Sequence, residues 1–118
     1  MNLLPLVLAG HLVGDWIVQT DKQAANKTTS WTAMGRHLLG YHLTLAGFAV
    51  FAIHTWPAFF ALAISAATHG FIDRRWPVKW LMQVTGSAPF AETTWGVLVV
   101  DQALHLSILC VLVACVAR

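Results

Sequence analysis

The chain has 118 residues, of which 58% are hydrophobic and only 10% are charged, and its formal net charge is +2. A soluble domain carries roughly 25% charged residues, so this composition excludes an ordinary water-soluble domain. The small net charge, with basic residues that are not interleaved with aromatic ones, gives no indication of nucleic-acid binding. We therefore expect a single integral-membrane domain over residues 1–118.

Four apolar segments are long enough to cross a bilayer as helices, the first and third only just, since roughly 20 apolar residues span the hydrocarbon core. They cover approximately residues 3–19, 33–56, 57–73 and 94–117. Pro5 is tolerated in the first turn of the first helix, and Pro57 marks a tight turn between the second and third. The sequence therefore predicts an all-α fold, a four-helix transmembrane bundle.

Two polar stretches separate the apolar segments. Residues 20–30 (TDKQAANKTTS) form a connector whose final Thr and Ser residues suit a helix N-cap. Residues 74–92 combine Pro77, Gly86 and Pro89 with tryptophans that stand between charges. This pattern predicts a loop with a short interfacial helix between the third and fourth spans.

The basic residues predict an orientation in the membrane. Those near the two connectors are Lys22, Lys27, Arg36, Arg74, Arg75 and Lys79. By the positive-inside rule both connectors are cytoplasmic, so both termini are expected outside the cytoplasm.

Three histidine–aspartate pairs, each with a spacing of four residues, lie inside the apolar segments. They are His11 with Asp15, His69 with Asp73, and Asp101 with His105. Four residues make about one helical turn, so each pair is predicted to stack on one helix face. Ionisable groups in a membrane span are costly unless partnered, and they indicate a functional site. The predicted topology places these pairs and His37 at one depth near the cytoplasmic face, whereas His54 falls near the outer face.

Histidine with aspartate is a donor set that suits zinc, manganese or iron. The candidate ligands are His11, Asp15, His37, His69, Asp73, Asp101 and His105. The absence of thiolate ligands among them disfavours a closed structural zinc site, and Cys110 and Cys115 are interpreted as small lipid-facing or packing residues. Seven ligands exceed the needs of one tetrahedral ion. They would suffice for two ions that share a bridging aspartate, or for one ion with carboxylates that orient its histidines.

Other interpretations of the same residues remain open. Aspartates and histidines relay protons in pumps and channels, and Gln19 and Tyr41 could extend such a relay. Haem held between histidines is a third interpretation, although it does not explain the aspartate one turn from each histidine. Each polar residue, taken singly, could instead be a hydrogen-bonded packing residue between helices.

Four motifs resemble one known family. They are HLVGDWIVQTDKQAANK (11–27), RHLLGY (36–41), THGFID (68–73) and VVDQALH (99–105). Together they are similar to domain of unknown function 3307, a family of small integral-membrane proteins from bacteria and their phages. The resemblance implies a location in the bacterial inner membrane but no activity. The residues that it marks are His11, Asp15, Gln19, Lys27, His37, Tyr41, His69, Asp73, Asp101, Gln102 and His105. A lysine that we expect in the family after the third-span aspartate is replaced here by Trp76.

The hypothesis that follows is a metal-dependent hydrolase of a lipid-linked or membrane-proximal substrate. Asp15 or Asp101 is the candidate base, and the histidines are the candidate ligands of one or two zinc, manganese or iron ions. Gln19, Tyr41 and Gln102 are expected around the metal ligands. Lys27, Arg36, Arg74 and Arg75 could receive an anionic headgroup or phosphate.

Two further classes of function are kept as alternatives. One is a small proton or ion channel or transporter, which would form a homo-oligomer because four short spans enclose little pore. The other is a phage accessory protein that binds a host membrane protein through residues 76–90. Whether His42 joins the site is left open, because it lies about 140° from His37 on a helix.

Overall fold

The computed structural model describes residues 2–52 and 55–117, and the regular structure among them is entirely helical, which confirms the all-α prediction. The helices are α1 (Leu4–Val13), which continues as a π-helical turn (Gly14–Val18), α2 (Asp21–Asn26), α3 (Trp31–Phe48), α4 (Trp56–Ile72), α5 (Trp76–Val84), α6 (Ala88–Ala91) and α7 (Gly96–Val116).

The polar connector folds into α2 because its first residues cap the N-terminus of that helix. Thr20 and Gln23 form a capping box, in which each side chain accepts a hydrogen bond from the backbone N–H of the other residue. Ser30 then caps α3 by accepting from the backbone N–H of Ala33. The connector therefore enters and leaves at fixed angles, which brings Lys27 into the interior of the molecule.

The second predicted span, residues 33–56, ends too late. Helix α3 stops at Phe48, and the chain turns over residues 49–52 before Thr55 caps α4. The apolar sequence continues through the turn, so hydropathy could not locate the end of the helix. His54, predicted at the outer face, lies outside the described residues.

The predicted interfacial segment contains two helices, α5 and α6. Arg75 precedes α5 with a φ of 64°, and its backbone N–H donates to the carbonyl of Ile72 at 2.9 Å. Gly86 ends α5 with a φ of 82°, a left-handed conformation that favours glycine. The start of α7 also requires a glycine at position 96, because a Cβ atom there would lie 1.8 Å from the carbonyl oxygen of Phe90.

Helix α7 is, among the described residues, the one helix that is long and apolar enough to cross a membrane by length and composition. Leu4–Val18 and Trp56–Ile72 are apolar but shorter, and α3 carries too many polar residues. The four-span prediction is therefore not supported by the helices as they form. The first and third predicted spans form helices close to their predicted bounds, but these helices are shorter than a membrane span needs. The second predicted span is shortened because a turn ends α3 at Phe48.

The packing places polar residues inside and large apolar residues outside. On α7 the buried positions after Gly96 are Val97, Asp101, His105 and Leu109, one every helical turn. Val97 belongs to an apolar cluster with Ile72, Val78, Met82 and Ala91, whereas Leu109 belongs to a second with Val7, Tyr41, Leu45 and Ala49. The polar side chains of α7 therefore lie between two small apolar cores.

Candidate metal centre

Three potential ligand atoms form a compact triangle in the interior. His37 lies on α3, His69 lies in the last turn of α4, and Asp73 is the residue at which α4 ends. The Nε2 atoms of His37 and His69 are 3.0 Å apart, and they lie 3.0 and 3.1 Å from Oδ2 of Asp73. Ligand bonds of about 2.0–2.1 Å in a tetrahedral zinc site separate the ligand atoms by about 3.3 Å. The triangle therefore has nearly the dimensions of a metal-binding face.

Asp15 adds a fourth potential ligand from the π-helical turn. Its Oδ1 lies 3.4 Å from Nε2 of His37 and 3.8 Å from Nε2 of His69. We call Asp15, His37, His69 and Asp73 the first cluster, since one ligand atom from each lies within 4.8 Å of all the others. A π-helical turn is wider than an α-helical one, so Asp15 reaches this cluster instead of stacking on His11.

Asp73, Asp101 and His105 form a second group, which we call the second cluster, with ligand atoms again within 4.8 Å of one another. Nε2 of His105 lies 3.6 Å from Oδ1 of Asp73, and Nδ1 of His105 lies 3.5 Å from Oδ2 of Asp101. The two clusters share Asp73, which offers one carboxylate oxygen to each. The four residues of the two clusters other than Asp15 and His37 therefore lie at the end of α4 or on α7.

His11 has both ring nitrogens in hydrogen bonds and belongs to neither cluster. Its Nδ1 accepts from the hydroxyl of Tyr41 at 2.8 Å, and its Nε2 donates to Oε1 of Gln102 at 3.0 Å. The amide nitrogen of Gln102 donates in turn to Oδ2 of Asp15 at 2.9 Å and to Oδ2 of Asp101 at 3.2 Å. This chain of hydrogen bonds orients both carboxylates, and it gives His11, Tyr41 and Gln102 a place around the ligands.

Lys27 reaches the first cluster from the connector after α2. Its Nζ lies 2.8 Å from Oδ2 of Asp73 and 3.6 Å from Oδ1 of Asp15, and the residue is only 6% exposed. Arg74 holds this part of the connector, because its Nη1 donates to the backbone carbonyls of Lys27 and Thr28 at 3.3 and 2.7 Å. The guanidinium also stacks 3.6 Å from the centre of the Trp31 ring.

Several buried polar atoms have no hydrogen-bond partner among the described residues. Two of them, Oδ1 of Asp15 and Nε2 of His105, face other ligand atoms. The described part of the chain also has an imbalance of buried charge, since its buried carboxylates are Asp15, Asp73 and Asp101 and its one buried ammonium is Lys27. With neutral histidines, two negative charges remain, which is the charge that one divalent cation would neutralise.

The other predicted residues lie around this interior or away from it. Gln19 is half-buried, with its Oε1 enclosed and unpaired among the described residues. Arg36 and Arg75 are exposed. His42 stands apart from both clusters, because its Nδ1 donates to the carbonyl of Leu38 and its Nε2 pairs with Ser65.

Two residues near the centre, Trp16 and Trp31, are not predicted from the sequence. The indole N–H of Trp16 donates to Oε1 of Gln102 at 3.4 Å, and Trp31 supports Arg74. Trp16 directly follows the predicted ligand Asp15, and Trp31 directly follows the predicted helix cap Ser30. That adjacency alone does not predict a contact.

The fold and the buried interior define an all-α protein whose histidine and aspartate side chains could hold a metal ion. The chain belongs to a family described as proteins of unknown function, DUF3307, which matches residues 3–118. The match confirms the family predicted from the four motifs. No curated protein and no solved structure matches the chain.

Proposed function

We propose that this protein is a membrane-embedded metalloenzyme that binds a divalent cation at the first cluster and hydrolyses a membrane-proximal substrate. The observation that carries the proposal is the convergence of two imidazole nitrogens and one carboxylate oxygen within 3.0–3.1 Å of one another. Three protein ligands with room for water are typical of catalytic zinc sites, and imidazole with carboxylate also suits manganese and iron.

A divalent ion bound there would supply Lewis-acid chemistry that activates water for hydrolysis. Asp15 is the first choice for the base that takes the proton of that water. Its Oδ1 lies 3.4 and 3.8 Å from the two imidazole Nε2 atoms, farther than Oδ2 of Asp73, and it has no hydrogen-bond partner among the described residues. Gln102 would keep this carboxylate aimed at the water, and Asp101 is the second choice for the base. Lys27 would attract an anionic group of the substrate.

The distribution of apolar side chains supports a location in the membrane. Among the described residues, large hydrophobic side chains are exposed along α1 and its π-helical turn, α3, α4 and α7, including Ile17 at 74% and Leu43 at 65%. Helix α7 would cross the bilayer. The apolar helix Leu4–Val18 measures about 22 Å at 1.5 Å per residue, less than the roughly 30 Å of hydrocarbon, so its crossing requires local thinning of the bilayer.

The proposed orientation places the ligands near the cytoplasmic face, where the two basic connectors would lie. Arg36 and Arg75 are exposed on this side and could contact anionic headgroups. Arg74 is engaged with the connector, so we assign it a structural role in place of a role in binding substrate.

Metal content tests the proposal. The protein is purified in detergent without chelators, reloaded with zinc, manganese or iron, freed of excess ion and measured by mass spectrometry. We expect bound metal in the native protein and none at the first cluster in the double variant His69→Ala, Asp73→Ala. His42→Ala is the control, since His42 is a half-buried histidine that belongs to neither cluster and bonds to Leu38 and Ser65. Equal metal content in all three proteins, or none in any folded sample, would overturn the assignment.

A proton relay is the second candidate function, and one observation favours it. Tyr41, His11, Gln102 and Asp15 form a continuous chain of hydrogen bonds. Beyond Tyr41, however, the crevice between α1, α3, α4 and α7 is lined almost entirely by apolar side chains, with Ser65 as the polar exception. This lining argues for a one-sided site. Proton flux into liposomes that His11→Ala abolishes would favour the relay over the hydrolase.

A further inference from the structure

We infer that the second cluster is a separate divalent-cation site and that Asp73 bridges it to the first. The inference rests on the proposed function, because it adds a second ion to the same centre. It also specifies the substrate more closely, as a molecule with an anionic group such as a phosphate ester.

The main support for this second site is the tautomer of His105. Its Nδ1 lies 2.9 Å from the backbone carbonyl of Asp101 and must donate to it, because a carbonyl oxygen only accepts. The Nε2 atom of a neutral ring then carries the lone pair. This atom is buried, has no hydrogen-bond partner among the described residues, and lies 3.6 Å from Oδ1 of Asp73. A histidine held through Nδ1 by a carbonyl, with a free Nε2, is prepared as a metal ligand.

Asp73 has the geometry of a bridging carboxylate. Its Oδ2 lies within 3.1 Å of the imidazoles of the first cluster, whereas its Oδ1 lies toward His105 on the other side. The residue is 2% exposed, so its position is fixed by the packing around the end of α4. A carboxylate that directs one oxygen at each of two ligand sets is the arrangement that two-metal sites use.

Gln102 connects the two clusters through its amide group. It donates to Oδ2 of Asp15 in the first cluster and to Oδ2 of Asp101 in the second. This leaves Oδ1 of each carboxylate outside the hydrogen bonds of the amide. One side chain therefore sets the orientation of a carboxylate in each cluster, as the outer partners of metal ligands do.

The donor atoms of the two clusters differ, and so should their preference for metals. The first cluster offers two imidazoles and two carboxylates, whereas the second offers one imidazole and two carboxylates. Oxygen-rich sites suit manganese and magnesium better than zinc. We therefore expect the first cluster to retain its ion through purification and the second to fill when Mn²⁺ is added.

The charge of the loaded centre identifies the class of substrate. With neutral histidines, the buried carboxylates and Lys27 of the described residues leave two negative charges, so one divalent ion makes the centre neutral and a second makes it positive. A positive, buried centre favours an anionic group over a neutral ester or amide. The phosphate could belong to a lipid headgroup or to a soluble molecule.

Equilibrium dialysis against Mn²⁺, followed by elemental analysis and electron paramagnetic resonance, tests the inference. We expect two ions per native chain, with the broadened signal of interacting manganese. The double variant Asp101→Asn, His105→Gln should bind one ion and give a simple six-line signal, and Cys110→Ser on the same helix is the matched control. Circular dichroism establishes that each variant is folded, and His105→Gln alone serves if the double variant is not.

The outcomes separate the two proposals. One ion in the native protein, unchanged in the variant, would overturn the second site and leave the first intact. No ion in the native protein or in the variant would overturn both metal sites.

Inorganic phosphate then tests the substrate class by calorimetry, and we expect it to bind only after the second ion is added. Phosphate binding that is independent of Mn²⁺ would contradict the proposed substrate class. Phosphate-bearing vesicles compared with soluble phosphate esters distinguish a lipid from a soluble source.

Discussion

Gln102 uses every hydrogen-bonding group of its side chain, and this makes it the most constrained residue of the centre. Its oxygen accepts from His11 and Trp16, and its nitrogen donates to Asp15 and Asp101. An amide side chain suits this position because its NH₂ group can donate to two carboxylates while its oxygen accepts from an imidazole N–H. The residue therefore fixes the protonation of His11 at Nε2 as well as the direction of both carboxylates.

Replacing Gln102 by glutamate tests this constraint with almost no change in volume. The variant would direct a carboxylate oxygen at Asp15 and Asp101, so we expect the metal-free protein to lose about 1–3 kcal/mol of unfolding free energy. Denaturation in mild detergent measures the loss. Gln83→Glu, at an exposed position of α5, is the control and should have little effect. Equal stability of the two variants would contradict the network.

Lys27 contacts the same carboxylates as the proposed ion, so its removal should matter most when no ion is bound. We expect Lys27→Met to cost about 3–5 kcal/mol in the metal-free protein, since it leaves buried carboxylates without their cation. Metal should recover most of this loss. Melting temperatures with and without Zn²⁺ or Mn²⁺ measure both, and exposed Lys22→Met is the control. If bound metal did not reduce the loss of stability, the Lys27 ammonium and the proposed ion would not share the same carboxylates.

At the scale of elements, the π-helical turn decides which residues reach the centre. Without it, Asp15 would stack on His11 as the four-residue spacing predicts. With it, Asp15 contacts His37 and His69, and His11 pairs with Tyr41. The turn packs closely on α3, because a Cβ atom at Gly14 would lie 2.9 Å from a ring carbon of Tyr41.

Two glycines in this region should respond oppositely to substitution. Gly14→Ala forces Tyr41 to move and should destabilise the protein by about 1–3 kcal/mol. Gly35→Ala, in the interior of α3 with nothing within 4 Å of the added carbon, should stabilise it by about 0.5–1 kcal/mol. Thermal unfolding followed by circular dichroism compares them. A stable Gly14→Ala variant would mean that Tyr41 is not held in place.

The sequence predicted some elements closely and others not at all. The predicted fourth span, 94–117, contains α7 (Gly96–Val116), and the third, 57–73, coincides with α4 (Trp56–Ile72) within a residue. The start of α4 is marked by the Thr55 cap and by Pro57. The end of α3 and the π-helical turn were missed, since neither changes the hydropathy pattern. The spacing of His69 and Asp73 predicted that their side chains lie on one helix face, and in the structure Nε2 of His69 lies 3.1 Å from Oδ2 of Asp73. No local pattern could reveal that Lys27 enters from the connector.

The positions of the six tryptophans indicate how the protein would sit in a bilayer. All of them are more than half exposed, at positions 16, 31, 56, 76, 80 and 95. Tryptophan prefers the membrane–water interface, where its ring is apolar and its N–H can be hydrated. Five of the six occur in or beside the segments that we assign to the cytoplasmic side.

Quenching by brominated lipids checks this arrangement in liposomes. We expect bromine near the headgroups to quench the tryptophan fluorescence more than bromine near the chain ends, because most rings should lie at interfacial depth. The variant Trp56→Phe should leave the preference for shallow quenching unchanged or increase it. Stronger quenching by deep bromine, or no quenching by either lipid, would contradict the proposed placement.

The contact between Arg74 and the connector has a consequence for kinetics. The connector covers the first cluster through Lys27, and the guanidinium of Arg74 holds it by its backbone carbonyls. An ion behind this cover would leave slowly, at a rate set by release of the connector more than by the strength of its ligands. Arg74→Ala should therefore speed the loss of metal to a chelator, measured by stopped-flow absorbance, while the number of ions bound at equilibrium stays the same. The residence time of the ion, in this view, is determined by a residue that never touches it.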